Sequence, residues 1–146
     1  MVMTTVEEIL REKGDQVWTV VPDSTVYQAL SLMAEKNVGA LVVIDRDGVA
    51  GILSERDYAR KVILQGKSSK EIRVRDIMSS PVQCVNPASS IEECMALMTD
   101  RHVRHLPVVR DERLAGLISI GDVVKAIISQ QGSLIRDLEG YITGRR

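Results

Sequence analysis

The chain has 146 residues, 45% hydrophobic and 27% charged, which suits one globular domain or two small units sharing a core. Its 19 basic and 20 acidic residues leave a net charge of −1, so no general field draws it to nucleic acid or an anionic membrane, and any anion site must be local. Two cysteines, Cys84 and Cys94, make no disulfide framework, the charged Glu7 to Lys13 stretch argues against a secretory signal, and no apolar run reaches spanning length; a cytoplasmic location is expected.

Thr5-Val6-Glu7-Glu8 has the Ser/Thr-x-x-Glu pattern of a capping box and predicts a short helix that stops near Gly14. Gln16 to Val21 alternates like a strand containing Trp18, and Pro22-Asp23-Ser24 breaks it. A second capping box, Thr25-x-x-Gln28, opens a helix whose Val26, Ala29, Leu30 and Met33 form one apolar stripe. Asn37 to Gly39 ends it. Ala40 to Ile44 is a continuous apolar run of buried-strand type, Asp45-Arg46-Asp47-Gly48 is hairpin-turn chemistry, and Val49 to Ser54 is the returning strand. Helical pattern resumes from Glu55 to about Gln65, so the unit reads β-α-β-β-α.

Polar residues from Gly66 onward mark a linker, placed at 67–73 between a first unit at 1–66, N-terminal helix included, and a second at 74–146. Val74 to Met78 echoes Val6 to Leu10. Pro81 to Val85 is the second unit's first strand, Ser90-x-x-Glu93 caps a helix carrying Ile91, Cys94, Met95 and Met98, and Leu106 to Val109 with Leu114 to Ser119 make a hairpin lacking the first copy's glycine. The last helix, from Gly121 or Asp122 toward Leu138, carries more apolar residues than one unit needs, and the excess predicts a subunit contact.

The units are copies. Gly51-Ile52-Leu53-Ser54-Glu55-Arg56-Asp57 returns 65 positions on (116 − 51) as Gly116-Leu117-Ile118-Ser119-Ile120-Gly121-Asp122, and no gap is needed from Val20 to Asp57. Taken alone, each Ser-x-x-Asp is an ordinary helix N-cap. Its place after a buried strand, its recurrence and the neighbouring Arg56 give it a second meaning. Free N–H groups at a helix start with an Arg suit phosphate, and a carboxylate can accept from the vicinal hydroxyls of a ribose. Other motifs fail. His102 and His105 lack a Cys-x-x-Cys or third ligand for zinc, and Gly66-Lys67-Ser68 has Lys61 where a P-loop needs glycine.

Val-x-Pro, an amphipathic helix with Met33 or Met98, the Val43 or Leu106-Pro107-Val108 strand, and Gly-hydrophobic-hydrophobic-Ser-x-x-Asp together resemble the CBS (cystathionine-β-synthase-type) domain, in two copies over nearly the whole chain. The resemblance implies an α/β (α+β) fold of two β-α-β-β-α repeats packed with pseudo-twofold symmetry, assembling as a disc-like homodimer. It implies adenosine ligands (AMP, ADP, ATP, NAD or S-adenosylmethionine) in two clefts between the repeats. On the matching positions Asp57 and Asp122 would hold ribose, with Ser54 and Ser119 near sugar or phosphate. Thr19, Val21 and Cys84 would line adenine with backbone at Ala40 and His105, and Arg56, Arg104 and His105 would face phosphate. The function expected is a nucleotide-binding regulatory sensor; the alternative is a dimeric adaptor acting on a partner protein without ligand. No nucleophile, base and orienting group stand together in a motif, so an enzyme is not expected.

Overall fold

The computed structural model describes residues 4–130. Helix α1 (Val6–Lys13) starts where the Thr5 side chain accepts from the Glu8 N–H and stops at Gly14, whose φ of 96° suits glycine. Strand β1 is only Thr19–Val20, shorter than the predicted Gln16 to Val21. The reciprocal Thr25–Gln28 capping box opens α2 (Val26–Lys36), and left-handed Asn37 ends it. Strands β2 (Ala40–Asp45) and β3 (Gly48–Ser54) form the predicted hairpin, with β1 parallel on the other edge of β2. Next comes α3 (Glu55–Tyr58), which runs into a π-helical turn over Ala59–Ile63.

The second half repeats the scheme with a single turn α4 (Val74–Ile77), helix α5 (Ile91–Arg101), strands β4 (His105–Arg110) and β5 (Arg113–Ser119), and helical residues 120–130, called α6. Its hairpin turn, without glycine, holds Asp111 and Glu112 at φ 50° and 65°. The predicted strand Pro81 to Val85 shrinks to one bridge, Val85 to Val108. The reason lies in β4. In the first half Val42 donates its N–H to Trp18 and so extends β1; the position 65 residues on is Pro107, which has no N–H to give. The predicted Gly132, Leu134, Ile135 and Leu138 of the last helix lie outside the described residues.

Each leading helix packs into the other half's core. Val6, Ile9 and Leu10 of α1 join Val85, Ile91, Cys94, Leu106, Val108 and Ile118, while Val74 and Ile77 of α4 join Val26, Ala29, Leu41, Val43 and Leu53. Reciprocal hydrogen bonds fix the exchange. The Val6 N–H donates to the Ser89 carbonyl (3.0 Å) and the Val74 N–H to Ser24 (2.8 Å); Glu7 donates to Pro87 (2.9 Å) and Arg75 to Pro22 (3.0 Å). These pairs express a pseudo-twofold axis between the halves. They also make the halves interdependent, because each core is incomplete without a helix from across the axis. Among the described residues no helix is long and apolar enough to cross a membrane.

Candidate functional site

Both Ser-x-x-Asp motifs form reciprocal caps at a strand-to-helix junction. The Asp57 N–H donates to Ser54 Oγ (3.2 Å) and the Asp122 N–H to Ser119 Oγ (3.2 Å), while each carboxylate accepts from its serine's N–H, at 3.0 and 2.8 Å. The capping reading is therefore correct for both. It does not exhaust the carboxylates, which are largely covered, with side chains 13% and 21% exposed.

Beyond the caps the two differ. Asp57 is occupied at both oxygens: Oδ2 also accepts from the Ser54 hydroxyl (3.0 Å), and Oδ1 meets Ser79 Oγ (3.4 Å) and Lys61 Nζ (3.2 Å). Asp122 takes its bonds on Oδ2 alone, from Ser119 and from Lys13 Nζ at 2.7 Å; among the described residues Oδ1 accepts none. Burial by itself would raise the Asp122 carboxyl, but hydrogen bonds from Lys13 and Ser119 outweigh it and hold the group below its ordinary value of 3.8.

A cleft of about 210 Å³ opens beside this second junction. Repeat 1 supplies Gln16, Val17, Trp18, Val38, Gly39 and Ala40, repeat 2 supplies His105, Leu117 and Ser119, and Lys13 closes the rim from α1. The repeat 1 side is mostly apolar, with Val17, Trp18, Val38 and Ala40, and the other side carries serine, histidine and lysine. The Lys36 ammonium lies 4.4 Å from the Trp18 ring centre and so covers one face of it. Burial and the nearby Lys13 push His105 below its ordinary 6.5, against the opposing pull of Asp122.

The structure thus gathers four of the residues singled out from the sequence: Ala40, His105 and Ser119 in the lining, and Asp122 bonded to Ser119. Thr19 and Val21 do not belong to this lining. Thr19 pairs through its backbone with Val42, Val21 is 52% exposed, and this wall uses Gln16, Val17 and Trp18. Cys84, Arg56 and Arg104 are exposed, and the Arg104 carbonyl accepts from the Ile120 N–H (2.8 Å). Ser54 and Asp57 sit at the pseudo-equivalent junction in the first half. Lys13 and Gln16 were not anticipated; the signal available was the three-residue surplus between Leu10 and Val20 over Met78 to Val85. Among the described residues no group of three or more His, Cys, Asp or Glu is placed to hold a metal ion.

The comparisons agree with this architecture. The family model described as "CBS domain" matches twice, over residues 6–63 and 74–129. The mitochondrial CBS domain-containing protein CBSX3 of Arabidopsis thaliana is 41% identical, the match covering 97% of this chain and 73% of that protein. A solved protein with CBS domains from Burkholderia ambifaria MC40-6 is 54% identical with a TM-score of 0.82, over 88% of this chain and 96% of that one. The CBS-domain containing protein ATU1752 from Agrobacterium tumefaciens is 41% identical with a TM-score of 0.79, over 86% and 94%. Two family matches in tandem, exchanged leading helices and a capped Asp at each junction lead to one conclusion: the chain belongs to the CBS-domain family, as a tandem pair.

Proposed function

We propose that the protein is a regulatory module, not an enzyme, which binds an adenosine nucleotide (AMP, ADP, ATP or NAD) in the cleft beside Asp122. The observation that carries this is a covered carboxylate with one oxygen held by Ser119 and Lys13 and the other without a partner among the described residues, next to an apolar wall containing Trp18 and Ala40. A ribose diol is a two-donor ligand for such an oxygen, and the apolar side of the cleft offers a surface for a base. Ligand at about 100 times its dissociation constant stabilises the native state by about 2.7 kcal/mol, which raises the melting temperature of a chain this size by roughly 5–10 °C. Asp122→Ala removes a charged acceptor and weakens binding by about 1.5–3 kcal/mol. Flat melting curves with all four ligands refute the reading.

A second reading is favoured by exposed apolar side chains near the helix starts and ends: Ile63 (56%), Leu64 (76%), Val124 (42%) and Ile128 (62%). These suit a second copy of the chain, and a homodimer of this kind could act as an adaptor on a partner protein without any ligand. Under the adaptor reading the chain is dimeric by light scattering, carries no nucleotide, and Asp122→Ala changes stability alone.

A further inference from the structure

From Leu10 to Val20 the first half uses ten steps where the second half, from Met78 to Val85, uses seven. The surplus extends α1 to Lys13, whereas α4 ends at Ile77. The second half's shorter path lets Ser79 pair with β3 of the first half: its N–H donates to the Ile52 carbonyl (2.8 Å) and its carbonyl accepts from the Ile52 N–H (3.1 Å). At the matching carbonyl of Leu117 the donor is instead the Lys13 ammonium, at 2.9 Å, which also reaches Asp122 Oδ2. So the fold satisfies this strand carbonyl without any lysine when the path is short. The longer path brings a cation into the cleft wall.

We infer that Lys13 sets the ligand class of the Asp122 cleft by offering its remaining N–H to an anionic group, so that phosphorylated nucleosides bind and neutral nucleosides bind poorly. An ammonium has three donors, and Leu117 and Asp122 take two. The side chain is 37% exposed, so it has room to turn outward, and as a half-exposed pair it adds little to folding. His105, the other titratable group of the wall, is held toward its neutral form, which leaves Lys13 as the permanent positive charge in the lining. Its seat at the C-terminal end of α1 also favours the helix dipole. That effect explains a lysine at the helix end but not its reach to Leu117 and Asp122.

The inference rests on the nucleotide reading, and the test separates the two. Calorimetry on the full chain compares AMP with adenosine for the wild type, Lys13→Met and Lys13→Gln, with a melting curve for each protein. The wild type is expected to prefer AMP; both variants are expected to lose about tenfold or more in AMP affinity while adenosine changes by less than about twofold. Lys13→Gln keeps a donor for Leu117, so it separates loss of charge from loss of the strand contact. AMP binding that is equal in wild type and variants, or that falls in step with adenosine, overturns the role of Lys13 and leaves the nucleotide reading standing. If neither ligand binds any of the three proteins and ADP, ATP and NAD leave their melting curves flat as well, the nucleotide reading fails and Lys13 falls with it.

Discussion

Gly51 and Gly116 occupy the same place in the repeated phrase, and the structure predicts that alanine costs much more at the first. A Cβ on Gly51 would lie 2.8 Å from the Ser79 carbonyl oxygen and 2.8 Å from Met78 Sδ. The thioether can swing away, but the carbonyl cannot, because Ser79 exchanges both backbone hydrogen bonds with Ile52. Forcing it back combines overpacking of about 1–3 kcal/mol with partial loss of two bonds of roughly 0.5–1.5 kcal/mol each, offset by the reduced freedom of the unfolded chain, for a net of about 2–4 kcal/mol. On Gly116 the Cβ would meet Leu10 Cδ2 at 2.8 Å and Cδ1 at 3.1 Å, the far end of a side chain that can change rotamer. That change costs about 1 kcal/mol or less after the same offset. Urea denaturation followed by circular dichroism measures both. Gly51→Ala should lower the midpoint well beyond Gly116→Ala at an unchanged slope. Met78→Ala in the same chain should not restore Gly51→Ala, since the carbonyl remains. Equal midpoints, or a larger loss at Gly116, would refute the argument that the backbone after α4 is bound to β3.

The two free thiols should separate cleanly. Cys84 is exposed, whereas Cys94 is fully buried and its thiol is pushed up to about 11 by burial and by Glu93, so a thiol reagent should titrate one cysteine in the native chain and the second only in denaturant. Two thiols reacting at one rate in the native protein would contradict the packing of α5. His105 gives a pH dependence with a definite sign. Its folded value lies below the ordinary 6.5, so the stability it contributes is complete above about that pH and is lost as the pH falls below it, where the unfolded chain takes up the proton first. His105→Gln should flatten stability between about pH 7 and pH 5; an unchanged slope there would show that the imidazole is not what titrates.

Much of the local structure was legible because single residues decide it. The Thr5, Thr25 and Ser90 caps sit at the helix starts where their spacing predicted, and both hairpins follow from a buried run, a polar turn and a returning run. The exchange of leading helices was not legible. An apolar stripe of Val6, Ile9 and Leu10 requires a core but does not say which, and the answer depends on bonds to Pro87 and Ser89, eighty residues away on the order of the chain's half-length. The single Val85 bridge was legible in principle, since Pro107 lacks a donor at the position where Val42 uses one. At the site, the Ser-x-x-Asp motif located the carboxylates, while the cleft beside Asp122 is lined by Gln16, Val17 and Trp18, which precede the short β1. Periodicity finds a strand's existence better than its ends.

Duplication supplies two junctions, and the lengths of the leading segments decide how each is used. At the first junction the short α4 lays Ser79 against β3, and its hydroxyl, with Lys61 from the π-helical turn, closes over Asp57. Lys61 is also tied to the Ile77 carbonyl at 2.9 Å, so this carboxylate joins α3 to α4 and serves the packing of the halves. At the second junction α1 packs Leu10 against Gly116 of β5, and its longer C-terminal end reaches Asp122 through the flexible side chain of Lys13, beside the space that Trp18 and His105 line. A backbone pair is hard to displace, whereas a half-exposed ammonium moves at little cost. Exposing the carboxylate at the second junction therefore asks for a side-chain rotation; at the first it asks for a strand contact to break. The same sequence phrase, read twice, gives a carboxylate locked by backbone pairing in one place and one held by a movable side chain in the other.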